Sequence, residues 1–533
     1  MIIYNIKTKA FTLVELIITI TILAILATIA FINLGNYPAD SRDAVRKSDL
    51  RTIEKAMTIY YIENGRYPTP DKDPVDGKTY FGEKAFQELG KINKLPLDPT
   101  TGKPYRYISL GVGYILVAEL ENGELFRVDH SRLAFQTCGM DLNSLYNKYG
   151  GNAGVDSNVG AFTAMKADGT IKSWGSPYYG GTGYPTEKGF IKVFPTFDGF
   201  LAINPYGKIS YWGDGSINVP EEEGFIKIYS NSNSYTAMKV DGTLKTFGKG
   251  SSSQAPDGEF REVYSTSFSF AAITKDGEIK TWGYPGTGGT GGPSGNGWVK
   301  IYSNNNSFSA LNQDGTIFTW PTRQYSPPSG KKFKKIIPHY PFIGLDVEGT
   351  MHIWGHSNSL SYHWKKDGWI DIFYKWGQPI GINNDGHLYS NYGKKRKPEN
   401  YKKIFIANNS IIILDNNGRI YDFFNRNTGL PNSTGWKDIV TTPDAFTAIN
   451  EDGSLYSKGF YNDNNNMIPL PNAPEGKFVK VFSNTGSFIA MDEKGCLKSW
   501  GHPDFGGTNA PTDCGRIEVN GSRVDDLEDC SQM

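Results

Sequence analysis

One carboxylate stands where a carboxylate is costly. Glu15 is the single charge in residues 11–34, FTLVELIITITILAILATIAFINL, and an acid in a membrane span costs on the order of 2.5 kcal/mol or more. Its plausible chemistry is ion pairing, because an apolar surrounding tolerates a charge only beside its opposite. Four cysteines, Cys138, Cys496, Cys514 and Cys530, offer a second chemistry. A sparse, even set behind an export-type N-terminus suits one or two disulfides formed outside the cytoplasm, with three connectivities open. His352, His356 and His363 lie close together in MHIWGHSNSLSYH. No Cys, Asp or Glu set accompanies them at ligand spacing, so no metal is expected. Basic runs occur at KKFKK (331–335), at Lys394, Lys395, Arg396 and Lys397, and at Lys402–Lys403. Falling between neighbouring repeats, they are candidates for one rim patch that takes an anionic ligand, against a merely solvated surface. The chain has no Gly-Lys-Ser/Thr phosphate loop and no Gly-x-Ser-x-Gly elbow. Its carboxylates recur in turns, as at Asp168 and Asp276. No catalytic residue and no cofactor are expected, and the chain does not read as an enzyme.

Composition narrows the class. Lys+Arg and Asp+Glu both number 55 in 533 residues, and a balanced chain argues against a dedicated nucleic-acid binder. Sixty-one glycines and 14% aromatic residues point to many short strands and turns, with length enough for two or three domains.

The apolar run exceeds the core of a secretory signal. As a helix it would be roughly 36 Å long, enough to span a bilayer, and Lys7 and Lys9 ahead of it would keep the leader cytoplasmic. Beyond Gly35 and Pro38, helical spacing of Val45, Leu50, Ile53, Met57 and Tyr60 predicts an amphipathic helix, with Arg42, Asp43, Arg46, Lys47, Glu54 and Lys55 on its polar side. GYILVAELENGELFRV then predicts a hairpin around Glu121-Asn122-Gly123.

The junction KA-FTLVEL resembles the type IV prepilin leader: short basic leader, small residue, then Phe, Thr, Leu, a branched apolar residue and Glu. Residues 11–128 resemble a small pilin or a type II secretion pseudopilin. The resemblance implies cleavage by a prepilin peptidase between Ala10 and Phe11, methylation of the Phe11 amine, and a role for Glu15 in subunit assembly opposite a neighbour's N-terminal amine. Ala10 departs from the usual Gly but remains small. Some relatives bind calcium in the loop corresponding to 93–106; Asp98 by itself reads as a structural turn.

From residue 161 the chain repeats. AFTAMKADGTIKSWG (161–175) returns as SYTAMKVDGTLKTFG, SFAAITKDGEIKTWG, SFSALNQDGTIFTWP, AFTAINEDGSLYSKG and SFIAMDEKGCLKSWG, with weaker copies between. The turn glycines run 169, 207, 242, 277, 315, 349, 386, 418, 453 and 495, the mark of a stacked array or propeller. Each Asp-Gly predicts a hairpin with a type I′ turn, and runs such as FIKVF (190–194) and FIKIYS (225–230) add a third strand. Small blades of this kind bury their faces only by packing together. The recurring Trp174, Trp212, Trp282, Trp354 and Trp500 read as blade packing. The unit resembles the regulator-of-chromosome-condensation type of propeller repeat, which speaks to fold and hardly to function.

The expected organisation is a 1–10 leader, an 11–34 transmembrane or filament-core helix, a 35–128 pilin-like α+β head, a 129–160 linker, an all-β propeller of about ten repeats over 161–522, and a 523–533 tail. The expected function is that of a minor pilin-like subunit, held in the inner membrane before assembly with other pilin subunits. Its propeller, outside the cytoplasm, would bind cells, surfaces or glycans. The alternative is a secretion pseudopilin whose propeller docks cargo or envelope partners. WGSPYYGGTGYPTEKGFIKV (174–193) aligns without a gap to WGHPDFGGTNAPTDCGRIEV (500–519). Residues 516–519 are therefore expected to pair with the first hairpin and close the ring, with Cys138–Cys530 as a clamp and Cys496–Cys514 as the remaining pair.

Two measurements check the N-terminal chemistry. Mass spectrometry of the assembled protein should find a chain starting at methylated Phe11, and retention of residues 1–10 sinks the cleavage assignment. Glu15→Ala should insert in the membrane yet fail to enter filaments, whereas normal assembly removes the ion-pair role.

Overall fold

The computed structural model describes residues 20–21, 37–131 and 158–523, less short internal stretches of which 322–329, 356–366 and 423–429 are the longest. No helix among the described residues is long and apolar enough to cross a membrane. The candidate span 11–34, with the Ala10–Phe11 junction and Glu15, lies outside the described residues apart from Ile20 and Thr21. The chain divides into two compact units between Asp129 and His130.

In the first unit, helix α1 (Tyr37–Asn64) is followed by β1 (Asp71–Lys72), β2 (Thr79–Tyr80), the short α2 (Glu83–Leu89), β3 (Arg106–Ser109), β4 (Gly113–Glu119) and β5 (Leu125–Ser131). The strands form one sheet in chain order. Leu50, Ile53, Met57 and Tyr60 of α1 are buried against Tyr107, Tyr114 and Leu116 of the sheet. The expected hairpin joins β4 to β5, with Gly123 at positive φ. One expectation fails on α1: Val45 is exposed and Arg46 is buried. Counting back from Leu50 by one helical turn reaches 46, while 45 falls off the stripe.

The second unit contains ten antiparallel sheets of three or four strands among the described residues. A typical sheet has a leading strand (225–230), a middle strand (235–239) and a third strand (244–247). Leading strands of successive sheets touch, as 225–230 does 260–265 and 401–407 does 436–441. They therefore line the ring's axis, and the third strands lie toward its outer edge. Shared apolar cores join each sheet to the next: Leu201 and Ile203 with Phe225 and Ile228, then Met238 with Phe260 and Val263.

Closure follows the expected route. Arg516–Val519 pairs antiparallel with Ala161–Lys166, setting Glu518 opposite Met165 and Val519 opposite Ala164. Phe162, Ala164 and Trp174 share a core with Phe482, Ile489, Met491 and Val519, so the tenth sheet packs on the first. A disulfide joins Cys496 to Cys514, and the Gly515 amide donates to the Lys494 carbonyl at 2.9 Å. The last hairpin turn is thus tied to the residue pair just ahead of the closing strand. Cys138 and Cys530 lie outside the described residues.

The recurring tryptophans link sheets. Trp212, Trp282, Trp354 and Trp500 are buried, and each stacks on a phenylalanine of its own sheet, as Trp282 does on Phe270 with centroids 5.4 Å apart. Each indole N–H donates to a hydroxyl on the preceding sheet: Trp212 to Ser173 (3.0 Å), Trp282 to Thr246 (3.0 Å), Trp354 to Ser309 (3.3 Å) and Trp500 to Ser457 (3.1 Å). Trp174 instead donates to the Gly506 carbonyl at 3.2 Å, across the closure.

The hairpin turns depart from the expected type I′. Asn509 is the only non-glycine at positive φ among the described residues, so Asp168 keeps ordinary backbone angles. The Gly169 amide donates to the Lys166 carbonyl and the Asp168 carboxylate accepts from the Thr170 amide. This is a longer loop, built around a type I turn with one left-handed glycine. A Cβ on Gly169 would stand 2.3 Å from the Phe190 nitrogen of the next sheet, so the glycine also permits sheet-to-sheet approach.

Two variants separate local from global contributions. Trp282→Phe keeps the stack but removes one donor, and should cost about 1–3 kcal/mol by leaving the Thr246 site short of a partner. Deletion of 516–533 should cost more and broaden the propeller's thermal transition, since it exposes an edge and a core face together. Equal melting temperatures for the two would refute closure by this strand.

Candidate functional site

In the head, the organising group is the Arg46 guanidinium. Its side chain is 4% exposed and meets three carboxylates: Asp98 at 2.6 Å, Asp43 at 2.7 Å and Glu121 at 2.7 Å. Its Nη2 also donates to the Thr100 hydroxyl at 2.7 Å. Arg42 adds a two-pronged contact to Glu121 at 2.9 Å. One cation thus ties α1 to the 98–102 turn and to the β4–β5 turn. Asp98 is also the turn's own acceptor, taking the amides of Thr100 and Thr101 at 3.0 and 2.8 Å. Burial alone would raise the Asp98 pKa, but hydrogen bonds from Arg46 and those two amides outweigh it and hold the carboxyl below its usual value. Bonds from Arg42, then Arg46 and Thr100, hold Glu121 well below the usual carboxylate range. Asp98 therefore acts as a structural turn residue with a guanidinium as its cation. The spacing signal for Arg46 was present in the helical stripe, and its charge hid it.

Along the propeller axis, a charge recurs at the same register position of each leading strand. The series is Lys192, Lys227, Glu262, Lys300, Lys335, Asp371, Lys403, Asp438, Lys480 and Glu518. Two neighbouring pairs bridge sheets: Lys335–Asp371 at 2.7 Å and Lys403–Asp438 at 3.2 Å. The ammonium groups also sit over rings, as Lys335 Nζ does over Phe373 at 4.4 Å from its centroid. The series holds six lysines and four acids, so its charges largely balance. Its signal in the sequence was the charged third place of FIKIYS-type runs.

The basic runs do not share one rim. Phe333–Ile337 is a leading strand at the axis, and so is Tyr401–Ala407, which carries Lys402 and Lys403. Gly393–Arg396, with Lys394, Lys395 and Arg396, is the outermost strand of the seventh sheet. Lysines on an edge strand in general discourage pairing with another chain. Lys397 lies outside the described residues. His352 Nε2 is 2.8 Å from buried Asp346, while His356 and His363 lie outside the described residues.

At the opposite end from the Asx–Gly turns, leading strands turn into middle strands around a buried Asn or Thr. Asn231 and Asn304 each accept two amides of their own turn at 2.8–2.9 Å, and Asn158 and Asn484 do the same at 2.7–3.0 Å. These turns are short, internally satisfied and stiff.

The Arg46 cluster makes a prediction about pH. Because the folded Asp98 pKa lies below its unfolded value, the cluster's contribution is complete above about pH 4 and is lost as pH falls through the lowered value. Arg46→Met should cost the head about 2–3 kcal/mol, less than a fully buried pair because Asp98 and Glu121 keep some water. It should also flatten the acid dependence, and a variant that melts like the parent at both pH 7 and pH 4 would remove the hub role.

Comparison with known proteins places the N-terminal unit in a family. A prokaryotic N-terminal methylation motif matches residues 6–31. Over 111 residues the chain is 38% identical to the type II secretion system core protein G of Aeromonas hydrophila, covering 20% of this chain and 76% of the relative. The Vibrio cholerae protein of that description is 37% identical over 110 residues, covering 20% and 73%. Among solved structures, the CRINKLY WD40 ectodomain of the Arabidopsis thaliana receptor kinase ACR4 covers 64% of this chain and 90% of its own at 12% identity and a TM-score of 0.28. Prp20p of Saccharomyces cerevisiae covers 72% and 91% at 14% identity and a TM-score of 0.27. At such scores the propeller assignment rests on the sheets themselves. With 38% identity across three-quarters of that relative, the chain belongs, through its N-terminal unit, to the family of the type II secretion system core protein G and carries a ten-sheet β-propeller after it.

Proposed function

We propose that this chain is a low-copy subunit of a pilin-type filament whose propeller is a binding module held outside the cytoplasm. In this reading a prepilin peptidase cuts at Ala10–Phe11, the chain waits in the inner membrane, and Glu15 pairs with a neighbouring subunit on assembly. The propeller binds other cells, surfaces or glycans and catalyses nothing. The observation that carries the reading is the joining of a filament-family N-terminal unit to a closed ring with a stiff rim of short turns. Bulk supports a low copy number: a propeller spanning residues 161–523 on every subunit would crowd a filament whose heads, like residues 35–128 here, are about a quarter that size. The Cys496–Cys514 disulfide suits an oxidising compartment. A second reading draws on the relatives, which are secretion-system proteins: an envelope pseudopilus whose propeller docks cargo.

Immunogold labelling of intact cells with an antibody to the propeller decides between them. Sparse label at filament ends is the expected result. Label that appears only after the envelope is opened favours the docking role, and dense label along filaments contradicts the low copy number.

A further inference from the structure

The two ends of the ring differ in chemistry. At the Asx–Gly end, turns and following loops are densely charged, with Asp168, Lys188, Glu222, Lys239, Lys275 and Glu259 among them, several in ion pairs. Among the described residues the other end is nearly free of charge from the tenth sheet round to the fifth. Its turns there read SNTGS, SNVG, PTFDG, SNSNS, STSFS and SNNNS, with GSPYYGGTG and GYPGTGGTGG after two of the third strands. Among the described residues of this arc, Lys249 is taken up by Asp198 at 3.1 Å and Asp214 at 3.0 Å, which leaves Asp504 as the remaining Asp or Lys charge.

Aromatic rings stand out from this neutral end. Tyr178 is 63% exposed, Tyr284 62%, Phe268 45% and Phe197 43%. On sheets two to five the exposed residue of each turn is Phe197, Asn233, Phe268 and Asn306 in succession, with Phe197 one place earlier in its turn than the other three. The turns are also tied to one another. The Ser232 amide donates to the Ser267 carbonyl at 3.1 Å, and the Ser267 amide to the Asn305 carbonyl at 2.9 Å. The surface is therefore built before any ligand arrives, which lowers the ordering cost of binding. Folding does not explain four exposed rings on one rim, because exposure forfeits the burial that makes aromatic residues stabilising.

We propose that this rim is a saccharide-binding face that takes a neutral polysaccharide laid across sheets one to five. The rings would cover the apolar C–H faces of pyranose units, and Asn233 and Asn306 would bond their hydroxyls. A protein epitope also suits Tyr, Asn, Ser and Gly, but it favours a contiguous buried cluster of anchors. Here single rings are spaced by amides, as sugar units are spaced along a chain. Without free cations among its described residues, the face offers acidic polymers no electrostatic attraction. The inference rests on the binding-module reading and names its ligand class.

Affinity electrophoresis of the full chain in detergent tests it, with amylose, mannan, β-glucan or galactan cast in the gel, heparin as the anionic control and collagen-coated beads as the protein control. Retardation by at least one neutral polymer is expected, little changed from about 0.05 to 0.5 M salt. Phe197→Ala with Phe268→Ala, and separately Tyr178→Ala with Tyr284→Ala, should each weaken it about tenfold while leaving the melting temperature unchanged. Binding to none of the four, to heparin alone or to collagen alone overturns the proposal, as does full affinity in both double variants. Cells that still adhere through the propeller after such a failure would keep the binding-module reading. Sugar binding in vitro by a propeller never displayed on cells would sink that reading alone.

Discussion

Among the described residues, four of the ten sheets are keyed to their neighbour by one repeated contact, an indole N–H given to a hydroxyl on the preceding sheet. A three-stranded sheet of this size cannot bury either face alone, so its stability lies in the next sheet. An apolar interface would allow neighbours to slide, because dispersion is non-directional. A buried indole donor is different: unpaired it costs free energy, and paired it accepts one offset between sheets. Trp212 with Ser173 and Trp282 with Thr246 therefore set register between sheets as backbone bonds set it within them. The hydroxyls are held in turn, as Thr246 is by Thr236 at 3.0 Å.

Closure extends the same logic to the chain ends. The first sheet takes its middle and third strands from one end of the repeat region and its leading strand from the other. No edge is left for a further sheet to extend, and Trp174 reaches Gly506 across the seam. The disulfide sits beside this join and tethers the residues just ahead of the closing strand to the last hairpin turn of the tenth sheet. A closed ring also holds its rim turns at fixed spacing, and a multi-site binding face needs that spacing.

Charge is handled in both units by pairing inside the fold. Arg46 gathers Asp43, Asp98 and Glu121, and on the axis strands Lys335 pairs with Asp371 and Lys403 with Asp438. The zero net charge of the chain is thus partly a local matter, cation beside anion, and among the described residues one arc of the rim, from the tenth sheet to the fifth, is left nearly uncharged.

Much of this was legible in the linear chain. The N-terminal motif, the helix stripe from Leu50 to Tyr60, the ten turn glycines and the closing strand all show as local patterns, because each is governed by backbone periodicity or by a turn's demand for glycine. Turn type was misjudged: Asp-Gly specifies a turn, but only the length of chain left between paired strands selects a type I turn over a type I′. Arg46 and the basic runs were misplaced for a related reason. A charged residue looks exposed until the carboxylates that satisfy it are brought from 52 and 75 residues away. By itself the sequence determined the modules, their order and the repeat, since those follow from spacing along one chain. The tertiary structure alone decided which strand edge faces the axis, which hydroxyl receives each indole, and which rings stand together on one rim. Those properties depend on distances between residues far apart in sequence, which packing alone sets.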